Sequence, residues 1–168
     1  MNLASEASGN LHIDKTLAFD FLVVFARFEY ALKEMKHVHK NGKLPKNLEV
    51  NYSGYAQGIE DKFAVKYKSS ESLKVAVDYF CQSPPLRQIW DGTNPDWAPA
   101  EVGLKPSAHQ MLVFVFRVRN NLFHGGKGWL RPEGDKERNH RLMRGALTIL
   151  QAILEIDDDL RMAFSSYQ

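Results

Sequence analysis

The most apolar run of the chain, Met111-Leu112-Val113-Phe114-Val115-Phe116, leads directly into Arg117-Val118-Arg119-Asn120-Asn121-Leu122-Phe123-His124-Gly125-Gly126. A run with no polar side has to be buried, and its flanks decide in what form. Alone it reads equally well as a buried strand. Upstream, however, Ser107 followed three residues later by Gln110 forms a capping box, and no second strand-like segment offers itself as a pairing partner. The sequence therefore predicts a buried helix from about Ala108 to His124. Gly125 or Gly126 closes it, since either takes the left-handed conformation at no steric cost.

That reading puts His124 in the last turn, beside unpaired carbonyls, where the helix dipole favours the imidazolium. Asn120 lies four residues earlier and shares its face. Arg119, five residues earlier, points roughly 140° away on an ideal helix. The arginine and the histidine meet at one phosphate either if the arginine side chain curls over or if a second copy of the helix packs alongside, and the second option predicts a dimer. An arginine, an amide and a histidine where a helix stops suit phosphate chemistry without a metal. A purely structural reading remains beside it, with Arg119 in a salt bridge and His124 capping the helix.

Arg119, four intervening residues and His124, with Asn120 directly after the arginine and glycine after the histidine, resemble the R-x4-6-H signature of the HEPN superfamily. Phe25-Ala26-Arg27-Phe28-Glu29-Tyr30-Ala31-Leu32-Lys33 is similar to the first helix of small standalone members, and Gln82-Ser83-Pro84-Pro85 to a connector of that branch. The resemblance covers most of the chain. It implies an all-α bundle of about five helices, with a long Pro- and Trp-containing loop before the motif helix. It also implies a metal-independent endoribonuclease of a toxin–antitoxin or antiphage-defence system, whose two motif copies face each other across a homodimer. Arg119 then carries over as the phosphate-binding arginine, Asn120 as its polar neighbour and His124 as the catalytic histidine. Asn121, Arg117, Lys127 and Glu29 are the further candidates for holding substrate. The expected partners are RNA, a second copy of the chain and an antitoxin or regulatory protein, with neither cofactor nor metal. Where some toxins of the superfamily carry a tyrosine that a partner nucleotidyltransferase modifies, this chain has Gly126, so control by that route is not expected. The alternative is a non-catalytic HEPN dimer that binds a nucleotide or a partner protein.

The remaining helices announce themselves by caps and periodicity. Asp14 or Thr16 starts a first helix expected to run to Lys40-Asn41-Gly42, with Phe21, Phe25, Phe28, Leu32 and Met35 in an apolar stripe. Glu29 flanks that stripe, either as a member of the site or as a solvated or salt-bridged carboxylate. His37 and His39, two apart, point to opposite sides of a helix and cannot chelate one metal together. Further helices are expected over residues 51–68 and 70–81, the latter ended by Pro84-Pro85. Residues 82–106 hold five of the seven prolines and read as a long ordered loop with one helical turn at 86–90. Its tryptophans, Trp90 and Trp97, either pin it to the core or stack on bases. A last helix is expected over 135–164, with Leu142, Ala146, Ile149, Ile153, Ile156 and Leu160 on its apolar face and Asp157-Asp158-Asp159 as a solvated acidic turn.

At 168 residues, 44% hydrophobic and 25% charged, the sequence reads as one domain with residues 1–13 as a flexible arm. The lone Cys81 forms no internal disulfide, which suits a reducing cytoplasm. Residues 1–10 lack the pattern of a secretory signal, and the longest apolar run falls far short of the roughly 20 residues that span a bilayer. A net charge of +2 excludes a general polyanion binder, but eight basic and three acidic residues lie between Arg117 and Arg144. The positive charge is thus gathered around the candidate site, as an RNA-cleaving surface requires.

Overall fold

The computed structural model describes residues 13–40, 47–123 and 134–166. Helices dominate it, and a short hairpin supplies the only sheet among the described residues. Helix α1 (Lys15–Glu34) starts at Asp14, whose carboxylate accepts from the amides of Thr16 and Leu17 at 2.9 and 3.1 Å. The predicted stripe is its inner face: Phe21, Phe25, Phe28 and Leu32 are buried. Burying one such side chain contributes about 1.5–3 kcal/mol.

This helix stops at Glu34, short of the expected end near residue 40. Lys36 takes φ 61° and its amide donates to the Lys33 carbonyl at 2.9 Å, while the His37 amide reaches back to Leu32 at 2.9 Å. Those two bonds are a Schellman closure with lysine in the position usually held by glycine. The chain then runs extended, so that Val38 pairs with Val50 in an antiparallel bridge. His37 packs on Tyr55 with ring centroids 4.9 Å apart.

Helix α2 (Tyr52–Ser69) is capped by Asn51, whose side-chain oxygen accepts from the Gly54 amide at 2.9 Å. Helix α3 (Glu71–Gln82) is capped by Ser70 and buries Leu73, Val77 and Phe80. Beyond Pro84-Pro85 comes the first correction. In place of a loop with a helical turn, β1 (Arg87–Trp90) pairs antiparallel with β2 (Pro95–Ala98), in the register Arg87 with Ala98 through Trp90 with Pro95. Proline is tolerated there because it opens an edge strand. The turn is set by the Asp91 carboxylate, which accepts from the amides of Thr93 and Asn94 at 2.7 Å, and by Gly92 at φ 105°. Trp97 is half-buried, whereas Trp90 is 65% exposed.

Helix α4 (Ala108–Phe123) carries the apolar run, and Ser107 Oγ accepts from the Gln110 amide at 3.1 Å as predicted. The reciprocal half of the capping box is not made. Glu60 of α2 accepts from the next amide, that of Ala108, at 3.0 Å, which joins α2 to the start of α4.

The last predicted helix is two helices, α5 (Gly134–Ile156) and α6 (Asp158–Ser165). Asp157 is extended and caps α6 through the Leu160 amide, while Tyr55 Oη donates to its other oxygen at 2.9 Å. The acidic run is therefore a helix start. Asp158 is exposed and pairs with Arg161 at 3.0 Å. No group of three metal-ligating side chains gathers anywhere among the described residues, and no helix there is long and apolar enough to cross a membrane.

α5 is the central element, packed on α3 and α1, while α4 lies chiefly on α2. α1 also carries α6: Arg27 donates to the carbonyls of Phe164 and Ala163 at 2.7 and 3.1 Å and to that of Ser166, a basic cap on the helix C-terminus. Where α3 meets α5, a Cβ on Gly145 would stand 2.8 Å from Cε2 of Phe80, which is fully buried and has nowhere to move. Gly145→Ala is therefore expected to lower stability by about 1 kcal/mol, overpacking outweighing the helix-propensity gain. Urea unfolding measures it, and a stabilised variant would show that the ring has room.

Candidate functional site

The polar residues of the motif divide between two tasks. Arg117 and Asn121, four apart, share a face of α4 and hold the connector between α3 and the hairpin. Prolines 84 and 85 offer no backbone donor, and their carbonyls need partners that the local backbone does not supply. Arg138 of α5 donates to Pro84 O at 2.8 Å, Arg117 to Pro85 O at 3.3 Å, and Asn121 Nδ2 to Leu86 O at 2.8 Å. Asn121 is 6% exposed, so its amide serves the fold.

Arg119 and Asn120 have a different environment. Arg119 Nη1 donates to Asn120 Oδ1 at 2.9 Å, and its guanidinium lies 5.7 Å from the Phe25 ring centroid. Its Nε is buried without a hydrogen-bond partner, and so is the Tyr52 hydroxyl. Burial, and then the Glu29 carboxylate, push that hydroxyl well above the usual phenol range, while Arg119 pulls it the other way. Tyr52 is thus a donor and not a base over the neutral range. Its ring packs on Phe116 at 5.7 Å, and Phe116 on Phe25 at 6.3 Å. Glu29 is ion-paired with Lys33 at 2.6 Å, one of the two roles its sequence position allowed.

The structure thus brings Arg119 and Glu29 near Tyr52, bonds Asn120 to Arg119, and turns Arg117 and Asn121 toward the connector. His124, Lys127 and the glycine pair lie outside the described residues. On the outer side of α4, a cleft of about 330 Å³ opens toward the hairpin, lined by Arg87, Gln88, Phe116, Arg117 and Asn120. Burial, and then the positive charge of Arg87, lower the pKa of Arg117.

Sequence reasoning missed Tyr52, Arg87 and Arg138. Tyr52 read as one more aromatic at helical spacing, and Arg87 fell in a segment taken for a loop. Arg138 had only its basic neighbourhood to mark it. Comparison with family models, with curated proteins and with solved structures gave no match.

Asn121→Ala is expected to cost about 1–2 kcal/mol, because it removes the donor to Leu86 O, whereas Asn120→Ala stays within about 0.5 kcal/mol. Equal losses in chemical denaturation would refute this division of tasks.

The buried tyrosines give a pH signature. Tyr52 and Tyr55 both have folded pKa values raised above the ordinary 10.0, the first by burial and Glu29, the second by burial and Asp157. Their contribution to stability is therefore complete below pH 10 and declines as pH rises further, where the unfolded chain loses protons that the folded chain keeps. Tyr52→Phe should flatten the alkaline fall in unfolding midpoint, and an unchanged slope counts against a buried hydroxyl at 52.

Proposed function

We propose that the chain is a metal-independent endoribonuclease of the HEPN type, acting as a homodimer and serving as a toxin or antiphage effector. The observation that carries the reading is the Arg119–Asn120 pair in the last turn of α4, with a buried guanidinium donor left without a partner, a few residues before His124. A mostly helical architecture with Arg119 and Asn120 on its penultimate long helix is further support.

In the proposed reaction the RNA 2′-OH attacks the adjacent phosphorus in line. The 2′-oxygen loses its proton to a general base, the new O2′–P bond forms as the P–O5′ bond breaks, and a general acid protonates the departing 5′-oxygen. His124 takes the base or acid role, and the two histidines of a dimer share both, each facing the other protomer's Arg119. Arg119 binds the non-bridging oxygens and offsets the charge that develops on them, while Asn120 fixes its orientation. The products are a 2′,3′-cyclic phosphate and a 5′-OH. DNA, which lacks the nucleophile, is not cut.

End-labelled RNA incubated with the purified protein in chelator should yield cyclic-phosphate ends. His124→Ala and Arg119→Ala should each slow cleavage about a hundredfold or more with the dimer intact. Cleavage by His124→Ala at the wild-type rate would overturn the assignment. The electropositive cleft beside Arg117 favours a second reading, a non-catalytic dimer that binds a nucleotide or a partner protein, whose mark is intact RNA with saturable binding.

A further inference from the structure

Two clefts flank the outer face of α4 and share Arg87, Val113 and Arg117. One, of about 330 Å³, runs past Gln88, Phe116 and Asn120. The other, of about 300 Å³, runs past Glu101 and His109. Arg87 is exposed, and its guanidinium makes no hydrogen bond or ion pair among the described residues. Arg117 gives one nitrogen to Pro85 O and rests over the Phe114 ring at 5.6 Å, with no carboxylate bonded to it. Two guanidiniums from separate elements thus face one space and repel each other, an arrangement that an anion between them relieves.

The walls of the first cleft add to this. Phe116 is 37% exposed, although its ring also packs on Phe25 and Tyr52, so it offers a surface for stacking. Gln88 and Asn120 supply amides beside it. The acid, Glu101, borders only the second cleft, so the stronger attraction for an anion lies in the first. Its volume matches a small-ligand site. Asn120 also continues this cleft to Arg119, to which it is bonded.

We propose that the cleft between the hairpin and α4 holds one nucleotide of single-stranded RNA, with its phosphate between Arg87 and Arg117 and its base against Phe116. This places a bound strand next to the Arg119–Asn120 pair. The choice of RNA rests on the ribonuclease reading, whereas the anion site does not. A duplex keeps its base faces stacked and cannot use Phe116, so the single strand is preferred.

The test uses the full chain and a fluorescein-labelled 2′-O-methyl octanucleotide, which cannot be cleaved, followed by anisotropy over a range of salt. Wild-type protein should bind it saturably and more weakly as salt rises. Arg87→Gln should weaken binding about tenfold and reduce the salt slope by about 0.7, the share of one phosphate on a single strand. Arg87→Lys should recover part of the loss, which separates lost charge from a damaged hairpin. Phe116→Leu should weaken binding several-fold with the salt slope unchanged. Arg161→Gln, which removes a cation already paired with Asp158, should bind as wild type. The proposal is overturned if Arg87→Gln binds as tightly as wild type, or if the same sequence in duplex form binds as well as the single strand. If binding depends on Arg87 yet RNA is never cut, the ribonuclease reading fails and the cleft stands. If RNA is cut while Arg87→Gln changes neither affinity nor slope, the cleft fails and the ribonuclease reading stands.

Discussion

Three consecutive carbonyls, those of Pro84, Pro85 and Leu86, set the geometry on which the functional face depends. A backbone with two prolines cannot join a helix or a ladder, so its acceptors must be served by side chains, and the donors come from α4 and α5. This ties the end of α3 to both helices at once and sets the start of β1 across a cleft from α4. The space between hairpin and helix exists because the connector is held at that distance. One consequence falls on the motif itself. Two of its polar residues, Arg117 and Asn121, help to build that space, and the pair between them in sequence, Arg119 and Asn120, is left for other work.

The second constraint is the aromatic seam of Phe25, Phe116 and Tyr52, against which Arg119 lies. A guanidinium beside ring faces is weakly hydrated, and Glu29, the acid whose charge reaches Tyr52, is engaged with Lys33. The same seam leaves two donors, Tyr52 Oη and Arg119 Nε, buried and without acceptors. Buried donors without acceptors cost stability, so the two mark this seam as a place where the fold gives something up.

Helix starts were legible because each is a local event. Asp14 and Ser107 cap helices as their positions predict, and the helices expected from 51 and 70 begin there, capped by Asn51 and Ser70. Helix ends were harder to read where they depend on packing. Lys36 adopts a left-handed conformation without being glycine, because the Val38–Val50 bridge draws the chain away. The break at Asp157 is hidden by an apolar periodicity that runs on to Leu160, and it exists because Tyr55, about a hundred residues earlier, donates to that carboxylate. The hairpin was obscured by Pro95, although Asp91-Gly92 marked its turn. At the candidate site the adjacency of Arg119 and Asn120 was visible in one dimension. The approach of Tyr52 and Arg87 was not, since each comes from an element whose position is set by tertiary contacts.

The clasp of Arg27 on the carbonyls that end α6 spans 137 positions of sequence. During synthesis α1 is made long before the helices that cover it, α5 and α6, and until they arrive its phenylalanines face water or whatever apolar surface is nearby. Native closure of this chain therefore waits on ribosomal progress through nearly all of the described residues. In that interval α1 is the segment most in need of a chaperone, and the one through which a stalled chain would aggregate.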